Sequence, residues 1–333
     1  MTGEGFGLPE PMLIVGGYGY RNVGDEAILA GLLHRFAGRG LTVVSRSPAE
    51  TSAMHGVRSI PVWRAVSELR HHRSVVIGGG GLFGRHMGLL GRLLPAYGLL
   101  ARVPSRAVAL MGVGIDAEQS ALGGTMLRML ARHAARIEVR DATSRDVLRS
   151  WHVESVVRPD LSSLMPAAPP SVGRHLLAMA GVDGSRPVIG LCLTAIDERM
   201  GDAVARAVVG CVNRLPDVEF LFVPMSQHPY VPRHNDLEFA RSLRGRAPRI
   251  RVLEGVHHPA AVLSLFGVLS GAVCMRYHAL LFADRAGVPI VPVAYAEKCR
   301  AWLAEHDETS IEPTADALTS AIRALLPAVR MAG

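Results

Sequence analysis

The sequence predicts an α/β protein of two Rossmann-like domains facing each other across a cleft. Short apolar runs alternate with longer amphipathic ones from end to end, the pattern of parallel strands joined by crossover helices. The alternation comes as two series. Between them, Met165–Gly173 (MPAAPPSVG) sets three prolines and a glycine where no regular element is expected. The expected division is an N-terminal domain over 1–168, a hinge region over 169–186 and a C-terminal domain over 187–333. A length of 333 residues suits two ordinary cores.

In the first series the apolar run Met12–Val15 ends at Gly16-Gly17 and opens the sheet. Leu41–Val44, Ser74–Ile77, Ala107–Met111 and Ile137–Val139 are the further strand candidates, each a short aliphatic run. Helices are expected between them at Asp25–Phe36, Met87–Ala101, Ala117–His133 and Thr143–Ser150. The second series repeats the pattern with strands near Pro187–Leu193, Val218–Val223, Ile250–Leu253, Ala272–Met275 and Pro289–Val293. Its helices are expected near Glu198–Leu215, Arg233–Leu243, Pro259–Leu269, His278–Ala286 and Arg300–Glu305. A last helical stretch, Ala315–Leu326, could pack on either domain. Ligands of open α/β sheets bind at the C-terminal strand ends, so the cleft is the expected site.

Composition excludes several function classes. The formal charge is +7, yet of 36 basic residues only Lys298 is lysine, and the arginines are spread along the chain. With no basic tract interleaved with aromatics, a nucleic-acid partner is not expected. A diffuse basic surface suits anionic small substrates, or the face of an anionic membrane. The four cysteines, Cys192, Cys211, Cys274 and Cys299, show neither CxxC nor Cys/His ligand spacing. Reduced thiols in a cytoplasmic protein are expected, with no metal site and no disulfide framework. Residues 1–11 carry Glu4 and Glu10 without a basic run, which does not read as a signal peptide. The 21 residues Gly255–Met275 lack Asp, Glu, Lys and Arg, but His257, His258 and Pro259 interrupt them. A buried helix followed by a strand is expected there, in a soluble protein.

Four segments carry candidate chemistry. The first strand runs into Gly16-Gly17-Tyr18-Gly19-Tyr20-Arg21-Asn22-Val23-Gly24-Asp25-Glu26. Glycines at a strand-to-helix turn admit a ligand close to the backbone, and the helix start offers free N–H groups to an anion. Asp25 could be the helix N-cap, a carboxylate facing the cleft, or both. Gly78-Gly79-Gly80-Gly81 follows the third strand, and Gly79-x-Gly81-x-x-Gly84 matches a dinucleotide fingerprint in form. No acidic residue lies between Glu68 and Asp116 to hold a ribose, so NAD and FAD are not expected. A P-loop is excluded because Lys298 follows Glu297, and GxSxG and HExxH are absent. Third, Arg276 and His278 lie just past one predicted strand, and Tyr295 and Lys298 just past the next. Three potential cations therefore converge, which suits an anion bearing phosphate and carboxylate. Fourth, Arg140 ends a first-domain strand, with Asp141 or Thr143 capping the next helix and Asp160 expected in a structural role. His257-His258, Met225-Ser226-Gln227-His228 and Asp236 are further rim candidates, left unranked.

Taken in order, Gly19–Glu26, the Gly78–Gly81 run, Val139-Arg140-Asp141, and Arg276-Tyr277-His278-Ala279 with Tyr295 and Lys298 resemble the polysaccharide pyruvyl transferase family, from Gly16 to about Trp302. The resemblance implies a GT-B-like fold and phosphoenolpyruvate as donor and co-substrate, with no resident cofactor. It also implies transfer of a pyruvyl ketal onto sugar hydroxyls of a cell-surface glycan precursor, free or lipid-linked. Donor-site roles carry over onto Arg276, His278 and Lys298, with Arg140 as a further donor arginine. His278, Lys298 and Asp25 become the catalytic candidates. Gly19, Asn22, Gly24, Asp25, Gly79, Gly80 and Gly81 become the acceptor-side lining, with the first domain taking the acceptor and the second the donor. Two departures, Phe83-Gly84-Arg85 after the glycine run and Cys192-Leu193-Thr194 where many members have an arginine, bear on the acceptor. A GT-B glycosyltransferase using a nucleotide sugar and a non-catalytic anion- or sugar-binding protein stay open beside this reading. A lipid-linked acceptor would bring a cytoplasmic enzyme to the inner face of the membrane.

Overall fold

The computed structural model describes residues 7–83, 97–100, 102–103, 105–116, 118 and 120–331. It separates into two compact units, one of residues 1–20 and 24–166 and the other of 21–23 and 167–333.

The first unit is built on seven strands: β1 Met12–Val15, β2 Leu41–Ser45, β3 Arg58–Pro61, β4 Ser74–Phe83, β5 Ala107–Ile115, β6 Arg136–Val139 and β7 Val156–Val157. Their order is β3-β2-β1-β4-β5-β6-β7 and every pairing is parallel. The inner strands are buried on both faces, and their side chains alternate between two cores. Leu13, Val15, Val75, Ile77, Val108 and Leu110 join one cluster, and Met12, Ile14, Val76, Ala109 and Met111 the other. Ile28, Leu29 and Leu32 of the helix Val23–Arg35 cover the second.

The strand β4 runs six residues past the expected end. The glycine run is not a turn but a continuation of the strand, pairing Gly78 with Met111, Gly80 with Val113 and Phe83 with Ile115 across an irregularity. Glycines at φ +62° (Gly79) and +82° (Gly80) let the backbone bend there without leaving the ladder. Gly84 and most of the expected helix Met87–Ala101 lie outside the described residues. The strands β3 and β7 and the helices Pro48–His55 and Ala65–Glu68 escaped the sequence reading because each is short and only partly buried.

The second unit holds β8 Val188–Cys192, β9 Glu219–Phe222, β10 Ile250–Val252, β11 Gly271–Cys274 and β12 Ile290–Pro292, all parallel, in the order β10-β9-β8-β11-β12. The last helix, Ala315–Met331, packs in this unit against Glu198–Arg214, where a side chain on Gly210 would meet Ala315 at 2.7 Å. The region read as a hinge instead contains a helix, Pro170–Met179. Proline is tolerated at a first helical position, whose N–H has no intrahelical partner anyway. Gly173 lets this helix press on Pro259–Phe266: a Cβ there would lie 2.2 Å from the Ser264 carbonyl oxygen, and its N–H donates to Ser264 Oγ at 3.0 Å. The uncharged stretch Gly255–Met275 contains that second helix and β11. Among the described residues no helix is long and apolar enough to cross a membrane.

Candidate functional site

Each sheet reverses its direction of growth once, between β1 and β4 in the first unit and between β8 and β11 in the second. Beyond the carboxyl ends of strands flanking such a switch point, the two chains diverge and leave room for a ligand. The sequence-selected residues cluster at both places.

In the first unit, β1 and β4 deliver the two glycine segments to the same edge. Tyr18 is buried and its hydroxyl donates to the Gly78 carbonyl at 2.9 Å, tying the segments together. The helix begins at Val23, so Asp25 stands inside its first turn rather than at the N-cap. The Asp25 carboxylate lies against both segments: a Cβ on Gly17 would come within 3.3 Å of it, and one on Gly80 within 3.2 Å. On the far side of Gly81 is Arg140. Its guanidinium fills the space above Gly114, where an added Cβ would lie 2.7 Å from Nε and Nη2. Arg140 is almost fully buried, 3.5 Å from Asp141 and 3.7 Å from Asp160. Asp141 is the helix cap, accepting from the Ser144 N–H. Asp160 both caps the turn Leu161–Leu164 and faces Arg140.

Glu26 accepts from the Gly19 N–H at 2.8 Å and meets His55 at 2.8 Å, both groups buried. It thereby fixes the first glycine turn, a role the sequence did not suggest because His55 sits on an unexpected helix. Gly24 lies in this unit, whereas Asn22 belongs to the second. Asn22 forms an antiparallel bridge with Ser226, flanked by bonds from Val23 N to Met225 O and from Gln227 N to Arg21 O, both 2.9 Å.

In the second unit, Arg276 caps the end of β11 and precedes the helix Tyr277–Arg285, so His278 falls in that helix's first turn. Lys298 falls in the first turn of Glu297–Glu305, after β12. Tyr277 is common to both: its ring meets the His278 ring edge-on at 5.4 Å, and Lys298 Nζ stands 5.7 Å from its centroid. Lys298 and His278 thus share the Tyr277 ring, while the neighbouring Arg276 turns its guanidinium to Asp236.

The residue that organises this cluster is Asp236, one of the unranked candidates. Its carboxylate accepts from Arg276 twice, from Nε at 3.1 Å and from Nη2 at 2.5 Å, and from the Ser226 N–H at 3.0 Å. Thr194, at the end of β8, and Tyr295, after β12, complete the network through Asp236 and Arg276 respectively. Burial pushes the Asp236 carboxyl above its usual range, against the pull of Arg276, Thr194 and Ser226. Burial works against the Arg276 charge too, but Asp236 and Tyr295 outweigh it and raise the guanidinium. Nearby, His228 Nδ1 accepts from the N–H groups of Tyr230 and Val231, both 3.1 Å, and burial lowers its pKa. His234 is lowered by burial, with Arg276 adding to the effect. The remaining rim candidates serve local structure: His258 caps its own helix and His257 contacts the Glu254 carbonyl. Among the described residues no group of three or more His, Cys, Asp or Glu is placed to hold a metal ion.

Against known proteins, a family model described as polysaccharide pyruvyl transferase matches residues 22–297. No curated protein matches the chain by sequence. Among solved structures the chain is similar to UDP-GlcNAc 2-epimerase from Neisseria meningitidis bound to UDP-GlcNAc, with TM-score 0.66 and 11% identity over 96% of this chain and 92% of that one. It is also similar to Anabaena HepE in complex with UDP-glucose, TM-score 0.62 and 13% identity over 96% and 90%. A third is the E. coli ADP-heptose LPS heptosyltransferase II, TM-score 0.54 and 12% identity over 96% and 99%. At such identities the likeness is one of fold, and the fold is GT-B-like.

Proposed function

The chain belongs to the polysaccharide pyruvyl transferase family, and from that premise we propose that it transfers the enolpyruvyl unit of phosphoenolpyruvate onto sugar hydroxyls of a glycan precursor. The observation that carries this reading is the placing of Lys298 and His278 against the Tyr277 ring beyond the ends of β11 and β12, with Arg276 next to Tyr277 in sequence and held by Asp236.

Phosphoenolpyruvate is an enol phosphate. Protonation of its methylene carbon makes a methyl group and leaves an oxocarbenium-like centre at the carbon bearing carboxylate and phosphate. One sugar hydroxyl attacks that carbon and loses its proton, phosphate departs with its bonding pair, and a second hydroxyl closes the ketal. The protein must supply one proton, neutralise two anionic groups and accept the hydroxyl protons. His278 is the proposed acid, since imidazole titrates near neutrality. Lys298 offsets the charge of the leaving phosphate. Arg276, aimed by Asp236, orients donor oxygens, with Arg140 a further donor arginine. Asp25 is the proposed carboxylate for an acceptor hydroxyl. As written, the reaction calls for no resident cofactor or metal.

Calorimetric titration of phosphoenolpyruvate into the wild type and Lys298→Ala tests the donor assignment: saturable binding that weakens strongly in the variant is expected. Absence of phosphoenolpyruvate binding with acceptor present, together with binding of a nucleotide sugar, would transfer the reading to a glycosyltransferase. Near-normal phosphate release by His278→Ala would remove the acid assignment.

A further inference from the structure

One face of the first unit is apolar and basic at once. The segments 62–71, 97–100 with 102–103, and 121–131 turn inner side chains to a single core cluster, which takes Ala65, Leu69, Tyr97, Leu100, Leu127 and Leu130 onto the same side of the sheet. Arg106 bonds the Leu69 and His72 carbonyls and so ties the first two segments. Their outer side chains therefore share one surface. On it Trp63 is 80% exposed, Leu99 67%, Leu122 67%, Val66 51%, Met129 50% and Val103 41%. The pairs 63/66 and 122/129 have helical spacing, so these two segments each turn a stripe outward. Half of the large exposed apolar side chains among the described residues fall on this face.

On the segments that carry these apolar side chains the charge is one-sided. Between residues 62 and 132 the exposed charged side chains among the described residues are Arg64, Arg70, Arg73, Arg102, Arg128 and Arg132, against Asp116 and Glu118 after β5. Glu68 is turned inward to Arg58 and His72. Two copies of this chain apposed through such a face would bring like charges together, and interface cores between proteins are depleted in charge. A tryptophan and aliphatic side chains set among arginines fit the boundary of an anionic bilayer, where the apolar groups enter the acyl region and the guanidinium groups meet phosphate.

We propose that this face of the first unit is a docking surface for an anionic phospholipid membrane. It is an interfacial contact and needs no spanning segment. The proposal goes beyond the transfer reaction and does not depend on the donor.

Vesicle co-sedimentation with tryptophan fluorescence tests it. Trp151 and Trp302 are buried, so a blue shift on adding vesicles reports Trp63. Wild-type protein is expected to sediment with vesicles of mixed phosphatidylglycerol and phosphatidylcholine, with a blue shift, and not with phosphatidylcholine alone. Replacing arginines by glutamine should weaken partition about fivefold each, so Arg64→Gln with Arg102→Gln about 25-fold. Trp63→Ser with Leu99→Ser should weaken it at least about tenfold. These side chains face solvent, and unchanged melting and circular dichroism in the variants show that the fold is intact. Equal partition of wild type and variants, or no partition into the anionic vesicles, overturns the proposal. So does concentration-dependent dimerisation abolished by Trp63→Ser, which would make the face a contact between copies.

Discussion

Removing the Asp236 carboxylate is the sharpest perturbation available in the second unit. The side chain is 1% exposed and that of Arg276 19%, and two hydrogen bonds join them. Asp236→Ala leaves a guanidinium in a site that disfavours charge and also frees the Ser226 N–H. Breaking a buried pair from one side costs about 3–5 kcal/mol, which for a unit of this size corresponds to a fall in melting temperature of about 10 °C. Arg276→Ala strands the carboxylate instead, but the carboxylate can take up a proton, so about 2–4 kcal/mol is expected. Burial already raises Asp236 above 3.8. A raised acid binds its proton more tightly folded than unfolded, so this variant should lose stability as pH rises above about that value. In the double variant neither charge is buried alone, and its cost should resemble one single variant, a coupling of about 3 kcal/mol. Trp302 is the one tryptophan of the second unit, so in a Trp63→Phe, Trp151→Phe background its emission follows that unit's unfolding. Coupling below about 1 kcal/mol, with the single effects simply adding, would refute the pairing as the organiser of the cluster.

Three further outcomes follow from the geometry. Burial pushes Glu138 up, but hydrogen bonds from Arg35 and Arg136 outweigh it and hold the carboxyl below 4.5. Its contribution is therefore complete above about pH 4.5 and lost as pH falls through the lowered value, so Glu138→Gln should flatten the acid limb of a stability profile followed by Trp151 emission. Gly114→Ala would drive a methyl group into Arg140. Its phosphate-release rate should fall as in Arg140→Ala, and the two changes combined should do no more than the worse alone. Lys298→Arg keeps the charge but replaces a compact ammonium by a planar fork, so donor turnover should fall at least about tenfold; wild-type turnover would mean that the chain's one lysine is interchangeable.

The fold was legible because burial on both faces of a parallel sheet writes uninterrupted aliphatic runs: Met12–Val15 is one, Gly271–Cys274 with its flanks another. Pairing forces were not legible. Glycine weakens a strand locally, so a run of four read as its end, yet β5 on one side holds Gly78–Phe83 in the ladder. The proline cluster read as a break because it forbids N–H bonds, and a helix start is the place where those bonds are not needed. Within the candidate site, residues at strand ends were found from their position alone. Asp236 was only a name among several, since it meets Arg276 across 40 positions and lies in a helix after β9. A carboxylate in the first turn of that helix was the available signal, and it equally describes any helix start.

The pairing changes what each cation can contribute. Arg276 reaches the end of β11 bound to a carboxylate, so the pair adds direction and hydrogen-bond donors but no net charge. Glu297, next to Lys298 in sequence, faces outward to Arg300 at 3.2 Å. On the proposed reading Arg276 therefore orients the donor's oxygens, and offsetting the departing phosphate falls to Lys298. An arginine at 298 would keep the charge, but its broader, planar head would sit differently over the Tyr277 ring, where the ammonium stands 5.7 Å from the centroid.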